Sequence, residues 1–212
     1  MGFEPAFFEP WLYSDSKDKL IDAPEGDSIL DWLPAPPIEL DDAFKWLEER
    51  PKQVDGPSDG EFAEKLPALY AKAEELRLTL PDSFATFFKR SELLLRLRSS
   101  SGSYFAFGDA LEPVANTPSL HFFPFLFDSQ HSSFWYLVLN HHGGHCVATW
   151  GNLRGAGPKD AAAREQSDIP PDYYAPSFRE AIYRYHMENE IFFLRDMEGK
   201  PLTQEMLDFL NG

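Results

Sequence analysis

Six apolar residues in a row, Phe134-Trp135-Tyr136-Leu137-Val138-Leu139, constrain this chain more than any other segment. A strand with one wet face alternates apolar and polar side chains, whereas a strand without alternation is covered on both faces. The run leads into Asn140-His141-His142-Gly143-Gly144, where glycine supplies the positive φ that a tight reversal needs, and then into His145–Trp150. The pattern predicts a hairpin with a doubly covered first strand. Two more strand-like segments precede it, Ser103–Phe107 and Leu120–Phe127.

Helical spacing lies on either side of these strands. Phe62, Leu66, Leu69, Tyr70, Ala73 and Leu76 make one stripe, and Pro67 must start or kink that helix. A second helix opens at Leu80-Pro81-Asp82-Ser83, where proline has no amide to satisfy and Asp82 complements the positive helix end. Phe84, Phe87, Phe88, Leu94 and Leu95 form its buried side. Residues 151–171 read as a loop containing one small-residue turn, Ala161-Ala162-Ala163. A long helix begins near Ser177, apolar over so much of its circumference that it needs more than one neighbour. Pro201–Leu210 forms a short closing helix. Helices, then strands, then helices, with no βα alternation and no repeat, give an α+β class.

Charge narrows the function. The 212 residues carry 19 Lys+Arg against 35 Asp+Glu, a net −16. Such a surface repels nucleic-acid phosphates and anionic lipid, and it steers basic proteins towards itself. Neither nucleic acid nor a membrane is an expected partner. The imbalance is steepest in residues 1–60, at net −10, which also hold eight of the eighteen prolines. Phe7, Phe8, Trp11, Tyr13, Ile29, Trp32 and Leu33 make this stretch too apolar for a solvated linker. It reads as an acidic, Pro-rich arm laid over a main domain of residues 61–212, with one short helix over Asp41–Arg50. The single cysteine, Cys146, excludes an intrachain disulfide framework and a multi-thiolate metal cage. Met1–Pro10 has no unbroken apolar core and the first basic residue is Lys17, so no signal peptide is expected and the location read is cytoplasmic.

Candidate chemistry is sparse. His141, His142, His145 and Cys146 are the densest group of metal-ligating types, with Asp128 in a nearby turn. An enzyme using His141, His142, His145 and Glu190 around a metal is therefore one alternative. Against it, adjacent turn residues point apart and no ligand spacing such as Cys-x-x-Cys occurs. His145 and Cys146 project to opposite faces of a strand and cannot act as a dyad. His186 and Glu190 sit one turn apart on a helix without the second histidine of a zinc-protease motif. Neither a nucleophile elbow nor a phosphate loop nor a dinucleotide fingerprint is present. Lys89, Arg90, Arg96 and Arg98 read as an intramolecular ion-pair surface. The expectation is a protein without cofactor or catalytic centre.

Three segments, in order, resemble the SUKH superfamily of fungal cell-wall regulators and bacterial toxin-immunity proteins. The first is Leu80-Pro81-Asp82-Ser83-Phe84, similar to the family's leucine-proline-aromatic helix opening. The second is Phe127-Asp128-Ser129-Gln130 followed by Phe134-Trp135-Tyr136 and His145-Cys146-Val147, which resembles an aspartate–glutamine turn leading to a tryptophan–tyrosine strand and its partner. The third runs from Pro176-Ser177-Phe178 to Glu188-Asn189-Glu190-Ile191-Phe192-Phe193, similar to the closing helix of one branch. The resemblance spans residues 61–196 and leaves the arm without a counterpart. It implies a mixed, largely antiparallel sheet flanked by helices and a non-enzymatic role in binding other proteins. Immunity against a basic, nuclease-like toxin is one such role; a signalling or cell-wall-regulation scaffold is another. For either, Asp109, Glu112, Asp128 and Gln130 are the candidate contacts, Asp128 and Gln130 having turn-capping as their structural alternative.

Overall fold

The computed structural model describes residues 36–53, 61–108, 110–114, 117–130, 133–151 and 172–211. Its centre is the hairpin. Strands β3 (Thr117–Phe127), β4 (Ser133–Asn140) and β5 (His145–Gly151) are consecutive neighbours, with Leu139 opposite His145 and Leu137 opposite Val147. Asn140 builds the turn: its Oδ1 accepts from the amides of His142 at 2.9 Å and Gly144 at 2.8 Å. Gly143 adopts φ +79°, in the left-handed region that a side chain would strain. Strands β1 (Tyr104–Phe105) and β2 (Glu112–Val114) both pair with β3, while β6 (Asp172–Ala175) pairs with β5. Every pairing among the described residues is antiparallel. The parallel part of a mixed sheet is not found there, because β3, β4 and β5 are joined by connections too short for a crossover.

Strand periodicity gives the sheet two apolar faces. Leu137 and Leu139 join Phe123, Phe125 and Val147 in the cluster that also contains the helical side chains. Phe134, Tyr136 and Val138 join Leu120, Phe122, Phe127, Cys146 and Ala148 on the other face, where none is more than 8% exposed. Both faces of β4 are buried, as its lack of alternation requires.

On the first face lie α1 (Lys45–Glu48), α2 (Glu61–Glu75), α3 (Asp82–Lys89), α4 (Ser91–Leu94), α5 (Phe178–Phe192) and α6 (Gln204–Asn211). α5 starts where its cap allows: Ser177 Oγ accepts from the Glu180 amide at 3.3 Å. It ends in a π-helical turn, Phe193–Met197. Phenylalanines knit the layers together. Phe84 meets Phe178 at 4.9 Å between centroids, Phe125 meets Phe178 at 5.2 Å, and Phe44 meets Phe87 at 5.2 Å.

Several elements depart from the sequence expectation. The helix expected over Asp41–Arg50 is one turn, because Asp41 Oδ1 takes the Ala43 amide at 2.7 Å and Phe44 is left-handed at φ +58°. A short acidic side chain that bonds its own backbone competes with helix. The helix expected to reach Leu95 breaks at Arg90, whose ψ is 76°, so Leu94 belongs to α4. Pro67 lies inside α2 rather than at its start. Residues 36–53 fall within the stretch read as an arm, yet Phe44, Trp46 and Leu47 sit in the main core. Residues 1–35 and 152–171, the latter read from sequence as a loop with an alanine turn, lie outside the described residues.

Candidate functional site

The histidine-rich hairpin does not assemble a metal centre. His141 and His142 occupy the exposed turn, and His145 shares the helix-covered face with Val147, whereas Cys146 points to the other face. His141 meets the ring of His121 on β3, edge-on at 5.4 Å. Glu190 is held elsewhere, accepting from Arg98 Nε at 2.8 Å. His145 responds to the charges of Asp42 and Arg179 at the start of α5, and Glu190 lies eleven residues further along, about 16 Å away at 1.5 Å per residue. Among the described residues no three His, Cys, Asp or Glu side chains gather to hold an ion. The four-residue metal alternative therefore loses its geometry.

Burial favours the neutral form of three histidines, His121, His145 and His186. It pushes His121 and His145 below their ordinary range, with His141 reinforcing the first effect and Asp42 opposing the second. His186 on α5 is 4% exposed against the Trp46 ring, and burial, aided by Arg50 and Arg98, holds its imidazole down to about 3. The unfolded chain titrates near 6.5, so between pH 6.5 and about 3 unfolding takes up a proton that the folded state refuses. The neutral imidazole's stabilising advantage is complete above pH 6.5 and is lost as pH falls, at about 1.4 kcal/mol per unit. His186→Phe should flatten the acid limb of unfolding free energy by about one proton in urea titrations across this range. An unchanged slope would contradict the assignment.

The candidate contacts are scattered. Asp109 lies outside the described residues. Glu112 is half-buried on β2 opposite Phe122, six residues and about 20 Å from Asp128 along β3. Asp128 is 4% exposed, and its amide donates to the Ser133 carbonyl at 3.0 Å, closing the β3–β4 turn. Its carboxylate is thus sunk in the fold, and only Ser129 and Gln130 of this turn are exposed among the described residues. Ser129 Oγ donates to the Ser101 carbonyl at 3.1 Å, tying the turn to the serine-rich segment before β1.

The arrangement of charge is more telling than any single contact. Six arginines pair with acids of the same chain. Arg50 pairs with Glu205 at 2.6 Å, Arg184 with Glu188 at 2.7 Å, Arg195 with Asp196 at 2.8 Å and Arg179 with Asp42 at 3.4 Å. Arg90 bridges Glu92 and Glu48. Arg98 holds both Glu190 and Glu198 and lies over the Phe193 ring, 4.2 Å from its centroid. Arg96 donates to the Arg50 carbonyl. The basic stretch from Lys89 to Arg98 therefore serves the fold through its arginines. Meanwhile Glu39, Glu49, Glu64, Glu74 and Asp82 are exposed.

A scan of protein-family models and searches of curated proteins and of solved structures return no match for this chain. No helix among the described residues is long and apolar enough to cross a membrane.

Proposed function

We propose that this chain is a non-enzymatic, protein-binding domain of SUKH type whose acidic exterior captures a basic protein in the cytoplasm, a nuclease-like toxin in the reading that fits best. The observation that carries this is the charge balance. A net −16, with six arginines already paired to acids within the chain, leaves an exterior on which acids outnumber bases. A nuclease has to be basic to hold phosphates, so the two fields complement each other and speed encounter. The packed aromatic core is the scaffold that carries this exterior.

The test reads the neighbouring genes for a basic nuclease toxin and pairs the full chain with it; a neighbourhood without one would count against the immunity reading. Expected are a stoichiometric complex and loss of nuclease activity. Charge-neutralising replacements at Glu39, Glu49 and Glu64 together should slow association without unfolding the chain. A nuclease that stays active in the presence of excess full chain would refute the immunity reading.

A further inference from the structure

The histidines of the β4–β5 hairpin do not converge on one another, but one of them meets a histidine of β3. His121 stands opposite Leu139 in the β3–β4 register, and Leu139 stands opposite His145 on β5. His141 follows Leu139 by two residues, so it lies diagonally across from His121, a placement from which ring side chains reach each other. The two imidazoles meet edge-on, their centroids 5.4 Å apart and their planes at 82°. His145 is not part of this pair. It lies two strand spacings from His121, about 10 Å, with Leu139 between them.

The two members differ in freedom. His121 is 6% exposed, and its Nδ1 is buried without a hydrogen-bond partner among the described residues. Buried polar atoms nearly always have a partner, so an orphan beside a second imidazole points to a ligand from outside the chain. His141 is exposed on a turn whose backbone Asn140 holds, which leaves its ring able to rotate about its own side-chain bonds.

The spacing suits a metal ion. Imidazole nitrogen is a ligand for zinc, copper and nickel. With a zinc ion about 2.1 Å from one nitrogen of each ring, and tetrahedral angles around it, the ring centroids stand about 5 Å apart. The pair therefore closes on such an ion through rotation of His141, with no shift of strand register. An exterior at net −16 also concentrates cations around the protein.

We propose that His121 and His141 together bind one divalent ion of the imidazole-preferring class, zinc being the ion whose geometry the spacing fits. Water fills the remaining positions. Two protein ligands make the site exchangeable, unlike the closed four-ligand centres that hold small folds together. Bound there, the ion ties the exposed turn to β3. This site does not depend on the protein partner, so failure of either reading leaves the other standing.

The experiment titrates the full chain with zinc chloride at neutral pH, by calorimetry and by NMR of the imidazole nitrogens. Expected are saturable one-to-one binding and shifts at His121 and His141 larger than at any other histidine. His141→Asn, on the exposed turn, should weaken binding at least about tenfold, since even outer-shell changes at metal sites cost that much. His121→Phe should do the same; should that variant fail to fold, His141→Asn alone decides. His142→Asn, one residue further along the turn, should leave the affinity unchanged. Excess magnesium, which takes oxygen ligands, should not displace the zinc. Absence of saturable zinc binding, an unchanged affinity in His141→Asn, an equal loss in His142→Asn, or displacement by magnesium would each overturn the proposal.

Discussion

Phe178→Ala is expected to destabilise the protein by about 3–5 kcal/mol, the cost of emptying a fully buried aromatic site. Phe178 is 0% exposed, and its ring touches those of Phe44, Phe84, Phe87, Phe88 and Phe125, at centroid distances between 4.9 and 6.3 Å. Those five rings come from the chain before α1, from α3 and from β3. No single neighbour can move in to fill the void without leaving another contact. Domains are stable by only about 5–15 kcal/mol, so the variant should show a large fall in urea midpoint and a measurable unfolded fraction when warm. Tyr104→Ala is the control: its side chain is 41% exposed and stacks only on Phe127 among the described rings. It should cost about 1 kcal/mol or less. Equal losses for the two variants would mean that the aromatic junction is not what holds the layers together.

Cys146 gives the second large effect. The thiol is 0% exposed on the sheet face opposite the helices, and burial pushes its pKa far up. Only a thiolate attacks a disulfide reagent. Reaction of the native chain with DTNB at mildly alkaline pH should therefore wait for an opening event. If opening the sheet costs even about 4 kcal/mol, labelling slows about a thousandfold relative to the denatured chain. Denaturant should release the single thiol at once. Rapid labelling of folded protein would show that this face is open, and would put the buried second cluster in error. Among the described residues the buried members of that cluster are all strand side chains, so its protection reports on the sheet.

Legibility in the sequence follows local rules. β4 and β5 are legible because an unalternating run followed by a glycine turn has few other solutions. α5 is legible because Ser177 precedes a long apolar stripe and stands three residues before Glu180. β2 is not, since three residues containing Pro113 carry almost no strand signal and exist only by pairing with β3. The four-residue β6 likewise owes its form to β5. Phe44's left-handed backbone, which truncates α1, follows from tertiary burial of a ring that no local propensity foretells.

The candidate site divides in the same way. The two-residue period of a strand is enough to separate His145 from Cys146, and the sheet keeps them on opposite faces. The burial of Asp128 is not legible, because composition records a charge without recording where its carboxylate points. A cleft beside α2 is not legible either, because Lys65, Ala68 and Lys72 lie far along the chain from the residues 107–111 that α2 approaches.

An outward acidic field that recruits a basic protein is the central claim, and the salt dependence of the association rate with the proposed basic partner probes that field most directly. Stopped-flow measurements with the full chain should show the association rate constant falling at least about tenfold between roughly 50 mM and roughly 500 mM salt as screening shortens from about 14 Å to about 4 Å, while the dissociation rate changes little. A partner that binds at a rate indifferent to salt, or one that proves acidic, would contradict it.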